Sequence, residues 1–227
     1  ATSAWTYAHE LGRLHLEQTF PEEVTTECYE NLTQDLAEKA IYEAIRKDCN
    51  IIFTTTPEFV KASVQAAIDH PNVKILNCSL NTSHRYIRTY YARMYEAKFL
   101  MGAVAGAMSE NGQLAYIADY PIFGTIANIN AFALGAKMIN PRARVYLEWS
   151  TLKDVDIRLA MENVQKKGVT VVSGKDMVIP EDASRYFGLY HLTEEEPHNL
   201  AMPLWHWGKF YEQLIRTIMD GTWKYDD

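Results

Sequence analysis

Long hydrophobic runs are missing from this chain of 227 residues. The longest, Phe99 to Met108, contains Gly102 and Gly106 and reaches about half of the ~20 residues that a bilayer crossing needs. Its GxxxG spacing is one that membrane helices use to pair, but the length excludes that use. A surplus of positive charge is missing too. There are 22 basic residues against 29 acidic ones, a net charge of -7, which argues against the basic stripe of a nucleic-acid surface. Cysteine is scarce: Cys28, Cys49 and Cys78 are odd in number and form no CxxC. They read as three small buried or half-buried thiols and not as a disulfide framework. No charged leader, apolar stretch and cleavage site stand at the start; ATSAWTYAHELG opens inside a helical pattern.

Catalytic signatures are equally scarce. GxSxG, HExxH and GxGxxG do not occur. The nearest phosphate-loop candidate, GVTVVSGKD at 168–176, has five residues between its glycines instead of four, and Asp176 stands where Ser or Thr would hold magnesium. The seven histidines form no ligand cluster: His9 and His15 fall on different faces of one helix, and His191 and His198 flank a polar loop. Glu194, Glu195 and Glu196 read as a solvated loop. No carboxylate pair or metal set announces an enzyme.

What is present is an alternation of helical and strand-like segments. Trp5 to Thr19 is helical, Val24 to Tyr29 strand-like, and Thr33 to Lys47 a helix with Asp35 and Glu38 early and Arg46 and Lys47 late, as the helix dipole prefers. NIIFTTT (50–56) is a strand, Pro57 opens a helix to Asp69, VKILNCSL (73–80) is a strand, and YIRTYYA (86–92) is a further candidate. After the helix 94–108, Asn111-Gly112 signals a turn. Then follow strand 114–120, helix 125–138, strand 143–150, helix 154–167, strand 168–174, a short helical stretch at 182–186, strand 187–192, a polar loop at 193–199 and a helix from Lys209 to Met219. Such alternation predicts α/β architecture with parallel sheets in two lobes, separated near residue 110. Ligands of such sheets sit outside the carboxyl ends of strands. The places to look are therefore Thr55 and Thr56, the stretch 78–81 with Asn81, Asp119 and its neighbours to 124, Trp149, and Ser173 to Met177 with Asp176.

WTYAHELG at 5–12, YEAKFLMGAVAG at 95–106, the stretch LAYIADYPIFGTIANINAFALGAKMINPRARV at 114–145 and the tail LWHWGKFYEQLIRTIMDGTWK at 204–224 resemble the basic-membrane-protein, or PnrA-like, family of ABC-transporter substrate-binding proteins. The similarity runs in register over nearly the whole chain. It implies a type I periplasmic-binding-protein fold of two Rossmann-like lobes joined by a hinge, the first over 1–110, the second over 111–199, with about 200–227 returning to the hinge and lobes. It also implies a small-molecule ligand, foremost a purine nucleoside, bound without catalysis or cofactor in the inter-lobe cleft; an ABC permease as partner, with no nucleic acid; and an extracytoplasmic, membrane-anchored location. Family members stack the base between two aromatics, which match Trp5, followed by Thr6, and Phe123 of the pair Ile122-Phe123. Glycines 102 and 106 share one helix face and let the backbone approach a neighbour closely.

Departures from the family pattern fall on the ribose side. Tyr190, within Leu189-Tyr190-His191, stands near a family aspartate, and Trp205 stands where many members carry lysine; Ser173 or Asp176 would take over that role. The acidic segment and first strand of the family pattern would lie upstream of Ala1. A second reading makes the chain a cytoplasmic ligand-sensing domain of a larger regulatory protein, which three unpaired cysteines would suit.

Overall fold

The computed structural model describes residues 4–79, 84–118, 123–150, 157–176 and 185–224. It divides into two units, one of Ala1–Ala92 with Trp205–Asp227 and one of Arg93–Leu204.

In the first unit the β-branched run at 50–56 forms β1 (Ile51–Thr54), followed by β2 (Lys74–Cys78) and β3 (Arg88–Tyr90). All three are parallel in the order β1-β2-β3, with Ile52 opposite Ile75 and Asn77 opposite Thr89. Helices α1 (Ala4–Thr19), α2 (Gln34–Arg46), α3 (Val60–Asp69) and, from the end of the chain, α7 (Trp207–Met219) cover the sheet. Side chains alternate across a strand. Ile52 and Ile75 accordingly pack with Ile41 of α2 and Ala66 and Ala67 of α3. Phe53 points the other way, its ring 4.3 Å from that of Tyr211 on α7. The strand-like segment 24–29 forms no strand: its propensity is right, yet a strand exists only through a hydrogen-bonded neighbour.

The second unit holds α4 (Met94–Met108), β4 (Gln113–Ala118), α5 (Phe123–Ile139), β5 (Arg144–Trp149), α6 (Ile157–Lys166), β6 (Val171–Ser173), β7 (Leu189–His191) and β8 (His198–Ala201). Its sheet order is β5-β4-β6-β7-β8. Strand β4 is buried on both faces, as a central parallel strand should be. Leu114, Tyr116 and Ala118 meet Met101, Ala105, Phe132 and Ala136 of α4 and α5. Ala115 and Ile117 meet Val164 of α6.

Three sequence expectations need correction. The sheet is not wholly parallel, because β6-β7 and β7-β8 are antiparallel. The segment read as a loop at 193–199 ends in β8; the short connection from β7 leaves no room for the crossover a parallel partner needs. The units part at Ala92 and not near residue 110, so helix 94–108 belongs with the second. It is held there by the glycines. A Cβ on Gly102 would lie 2.0 Å from the Phe132 carbonyl oxygen, one on Gly106 2.6 Å from that of Ala136, and one on Gly135 1.9 Å from that of Phe99. The slim helix face exists so that two helix backbones can touch. The short helix expected at 182–186 falls largely outside the described residues, and Arg185 and Tyr186 are not helical.

Candidate functional site

The strand ends of the first unit carry a face of three aromatic rings. Trp5 lies near the start of α1, Tyr91 directly follows β3, and Trp205 precedes α7. The Trp5 ring stands edge-on to Trp205, with centroids 5.3 Å apart and planes at 82°, and lies 29° from parallel to Tyr91 at 6.5 Å. Its indole Nε1 donates to the Thr55 carbonyl oxygen at 2.8 Å, which ties the ring to the end of β1. That bond occupies the polar edge of the indole, and stacking needs only its faces. Thr55 thus acts through its backbone. The Thr56 hydroxyl accepts from the Glu58 amide and caps the turn Pro57–Phe59, while its carbonyl accepts from Asn77 Nδ2 at 2.8 Å. Thr6 also has a polar or ring interaction of its own.

Behind these rings lies a second, buried layer. Trp207 stacks on Trp205 at 5.2 Å and on His9 at 4.8 Å. His9 Nδ1 is 2.6 Å from the Tyr211 hydroxyl, which is 3.0 Å from that of Tyr90. Burial pushes the nearby Cys78 thiol up to about 12 and raises both tyrosines. Burial also lowers His9 to about 4, so the imidazole is neutral at physiological pH. Among the described residues, His9 Nε2, Trp207 Nε1 and Asn77 Oδ1 are buried without hydrogen-bond partners. Each such group costs about 1–3 kcal/mol; His84 Nε2 and Trp223 Nε1 are in the same position.

The depressed histidine has a consequence for stability. With the imidazole at about 4 when folded and 6.5 when free, the unfolded chain binds a proton over that window and the folded chain does not. Stability is therefore unaffected above the upper value and falls as pH drops toward the lower one, at up to about 1.4 kcal/mol per pH unit. Unfolding midpoints of wild type and His9→Gln, followed from pH 7 to pH 4, should converge toward acid. Parallel curves would show that His9 is not buried as described.

In the second unit, Ser173 and Asp176 are brought together by a residue the sequence reading missed. Lys98, on α4, is fully buried, forms an ion pair with Asp176, lies 3.4 Å from the Ser173 hydroxyl, and rests 5.0 Å from the centre of the Tyr116 ring. Its only sequence signal was a lysine inside an otherwise apolar helix. Ser173 is itself buried. Tyr190 is 1 % exposed and belongs to the core under α6; its hydroxyl is 3.8 Å from Met161 Sδ and its ring fills the space beside Gly174. Trp149 is half-buried against the α4-α5 side of the sheet. Asn81, Asp119 and the side chain of Phe123 lie outside the described residues. Of the expected residues, then, Trp5, Thr55 and Trp205 come together in the first unit, and Ser173 and Asp176 in the second. Tyr91, His9 and Trp207 join the first group unannounced.

The fold defines a class before any sequence is compared: two α/β units of the type I periplasmic-binding-protein kind. Solved structures agree. An ABC-transporter solute-binding protein of Conexibacter woesei matches with a TM-score of 0.75 at 13% identity, over 98% of this chain and 80% of that one. A transcriptional activator of the comK gene from Bacillus halodurans matches with the same TM-score at 16% identity, over 98% and 81%. The model of the Bmp family, PnrA-like ABC-transporter substrate-binding proteins, matches residues 1–179, and the chain belongs to that family. A purine-binding protein of Brucella abortus is 28% identical over 97% of this chain, and a putative ABC-transporter glucose-binding protein of Haloferax volcanii is 25% identical over 98%. The chain spans 66% and 59% of the lengths of these two relatives. Among the described residues no helix is long and apolar enough to cross a membrane.

Proposed function

We propose that this chain is the substrate-binding part of an ABC importer and that it binds a purine nucleoside, the base stacking on the ring face of Trp5, Tyr91 and Trp205. The observation that carries this reading is the face itself: three aromatic side chains at the carboxyl ends of parallel strands, one of them fixed by its indole hydrogen bond to Thr55. Family membership supports a binding role without chemistry on the ligand, a permease as partner, and an extracytoplasmic, membrane-anchored setting. The relative from Brucella abortus, a purine-binding protein by name, supports the purine. Neutral His9 behind the face suits an uncharged heterocycle.

Thermal unfolding against a panel of purine and pyrimidine nucleosides, free bases and glucose tests the reading. A ligand at 100 times its dissociation constant adds about 2.7 kcal/mol of stability. Adenosine, guanosine or inosine should raise the midpoint, and Trp5→Ala and Tyr91→Ala should each abolish the rise. A response to glucose alone, or no response to any purine, would sink it.

A further inference from the structure

The strand order of the second sheet, β5-β4-β6-β7-β8, reverses between β4 and β6. From β4 the chain leaves through α5 to β5 on one side; from β6 it leaves to β7 on the other. The two strands are parallel neighbours, with Tyr116 opposite Ser173, so their carboxyl ends part at one place. In open α/β sheets that place is where ligands bind. Lys98 and Asp176 meet there. Asp176 stands three residues past the end of β6, and Lys98, with no exposed surface, is ion-paired to it, 3.4 Å from the Ser173 hydroxyl. The pair is not placed as a purely structural one would be. An apolar side chain of similar size costs less to bury than an ammonium, and residues 97–108 of α4 are otherwise apolar. Yet the carboxylate is not closed off: the Asp176 side chain is 20% exposed. A carboxylate accepts from several donors at once, and this one meets solvent at the switch point of the sheet.

We propose that the Lys98–Asp176 pair is a hydroxyl-binding element: Asp176 accepts hydrogen bonds from two neighbouring hydroxyls of the ligand, and Lys98 is its positioning residue. On the reading given under Proposed function, on which this inference rests, the hydroxyls are those of a ribose; a free sugar offers the same chemistry. Charge selects the donor. With Lys98 attached the pair is neutral overall, so a cationic ligand gains little from it, and an anionic phosphate meets a carboxylate at the exposed end. Neutral O–H groups gain most. Hydrogen bonds to an ionised oxygen are shorter and about twice as strong as neutral ones, and two carboxylate oxygens suit two adjacent hydroxyls. Geometry keeps the carboxylate in place. The Lys98 ammonium lies beside the buried Ser173 hydroxyl and 5.0 Å from the centre of the Tyr116 ring, a cation-π contact in the interior. Asp176 therefore loses rotamer freedom when the chain folds and not when the ligand arrives, which favours binding.

Calorimetric titration of the full chain with adenosine, guanosine, the dideoxy form of each (which lacks both neighbouring ribose hydroxyls) and glucose is the test. Wild type should bind a nucleoside at least about 10-fold more tightly than its dideoxy form. Lys98→Met should narrow that ratio to about three-fold or less, with the affinity for the dideoxy form unchanged. The double variant Lys98→Met/Asp176→Asn, which leaves no charge buried alone, should do the same and serves if the single one does not fold; circular dichroism checks both. Equal affinity for a nucleoside and its dideoxy form overturns the proposal and leaves the nucleoside reading standing. So does a ratio that the variants leave unchanged, which is what a purely structural pair would give. Binding of glucose alone, lost in the double variant, upholds this inference and ends the nucleoside reading. Glucose binding retained there, or no binding of any of these compounds, overturns both.

Discussion

Gly135→Ala is expected to destabilise the second unit by about 3 kcal/mol, although alanine is the better helix former. Its new methyl group would sit 1.9 Å from the Phe99 carbonyl oxygen. Overpacking costs about 1–3 kcal/mol where side chains can yield. Here the obstacle is the backbone of a packed helix, which cannot rotate aside, so α4 and α5 must separate by more than an ångström. The cost lies above that range, and the ~1 kcal/mol regained in helix propensity offsets only part of it. Gly168→Ala is the control. No atom lies within 4 Å of the added methyl group, and only the positive φ of 69° opposes it, for about 1 kcal/mol. Denaturant unfolding of both variants decides. A Gly135→Ala protein as stable as wild type would mean that the two backbones do not touch.

The second large effect is expected from Asp176→Asn. The substitution keeps the shape of the side chain and removes its charge, leaving the Lys98 ammonium, which is wholly buried, without this carboxylate. Removing one partner of a buried pair costs about 3–5 kcal/mol, so Asp176→Asn should lose about 3 kcal/mol. Lys98→Met should lose less, because the Asp176 side chain is 20% exposed and the abandoned carboxylate can reach water. The double variant should recover most of the loss, since two neutral groups can share a buried site that one charge cannot. Urea unfolding of the three proteins gives the order. If Lys98→Met proves the worse single change, the pair is not arranged as described.

The segments of this chain were legible because α/β alternation leaves a strong pattern. Parallel strands read as short β-branched runs and their helices are long enough to show a period. The sense of β8 was not legible, because its antiparallel pairing with β7 is decided by the length of a connection that looked like an ordinary polar loop. In the site, Trp5 and Trp205 were found through their motifs. Tyr91 was hidden in YIRTYYA, where it looks like one more strand residue; only the end of β3 at Tyr90 frees it. Lys98 went unremarked in an apolar helix, because its partners are strand and loop residues some 75 positions away. The strand-end rule located Ser173 and the family pattern pointed to Tyr190, but neither said anything about depth, and both proved to be interior.

The row running from Tyr90 through Tyr211 to His9 has a sense. Each hydroxyl owns one hydrogen, so if Tyr211 donates to His9 Nδ1, then Tyr90 donates to Tyr211, and His9 carries its own hydrogen on Nε2. If His9 donates instead, every hydroxyl turns round and Nε2 becomes a bare lone pair. One flip of the whole row thus converts the nitrogen behind the Trp5 ring from donor to acceptor, with no atom heavier than hydrogen displaced. The tautomer of His9 and the sense of both tyrosine hydroxyls are a single variable.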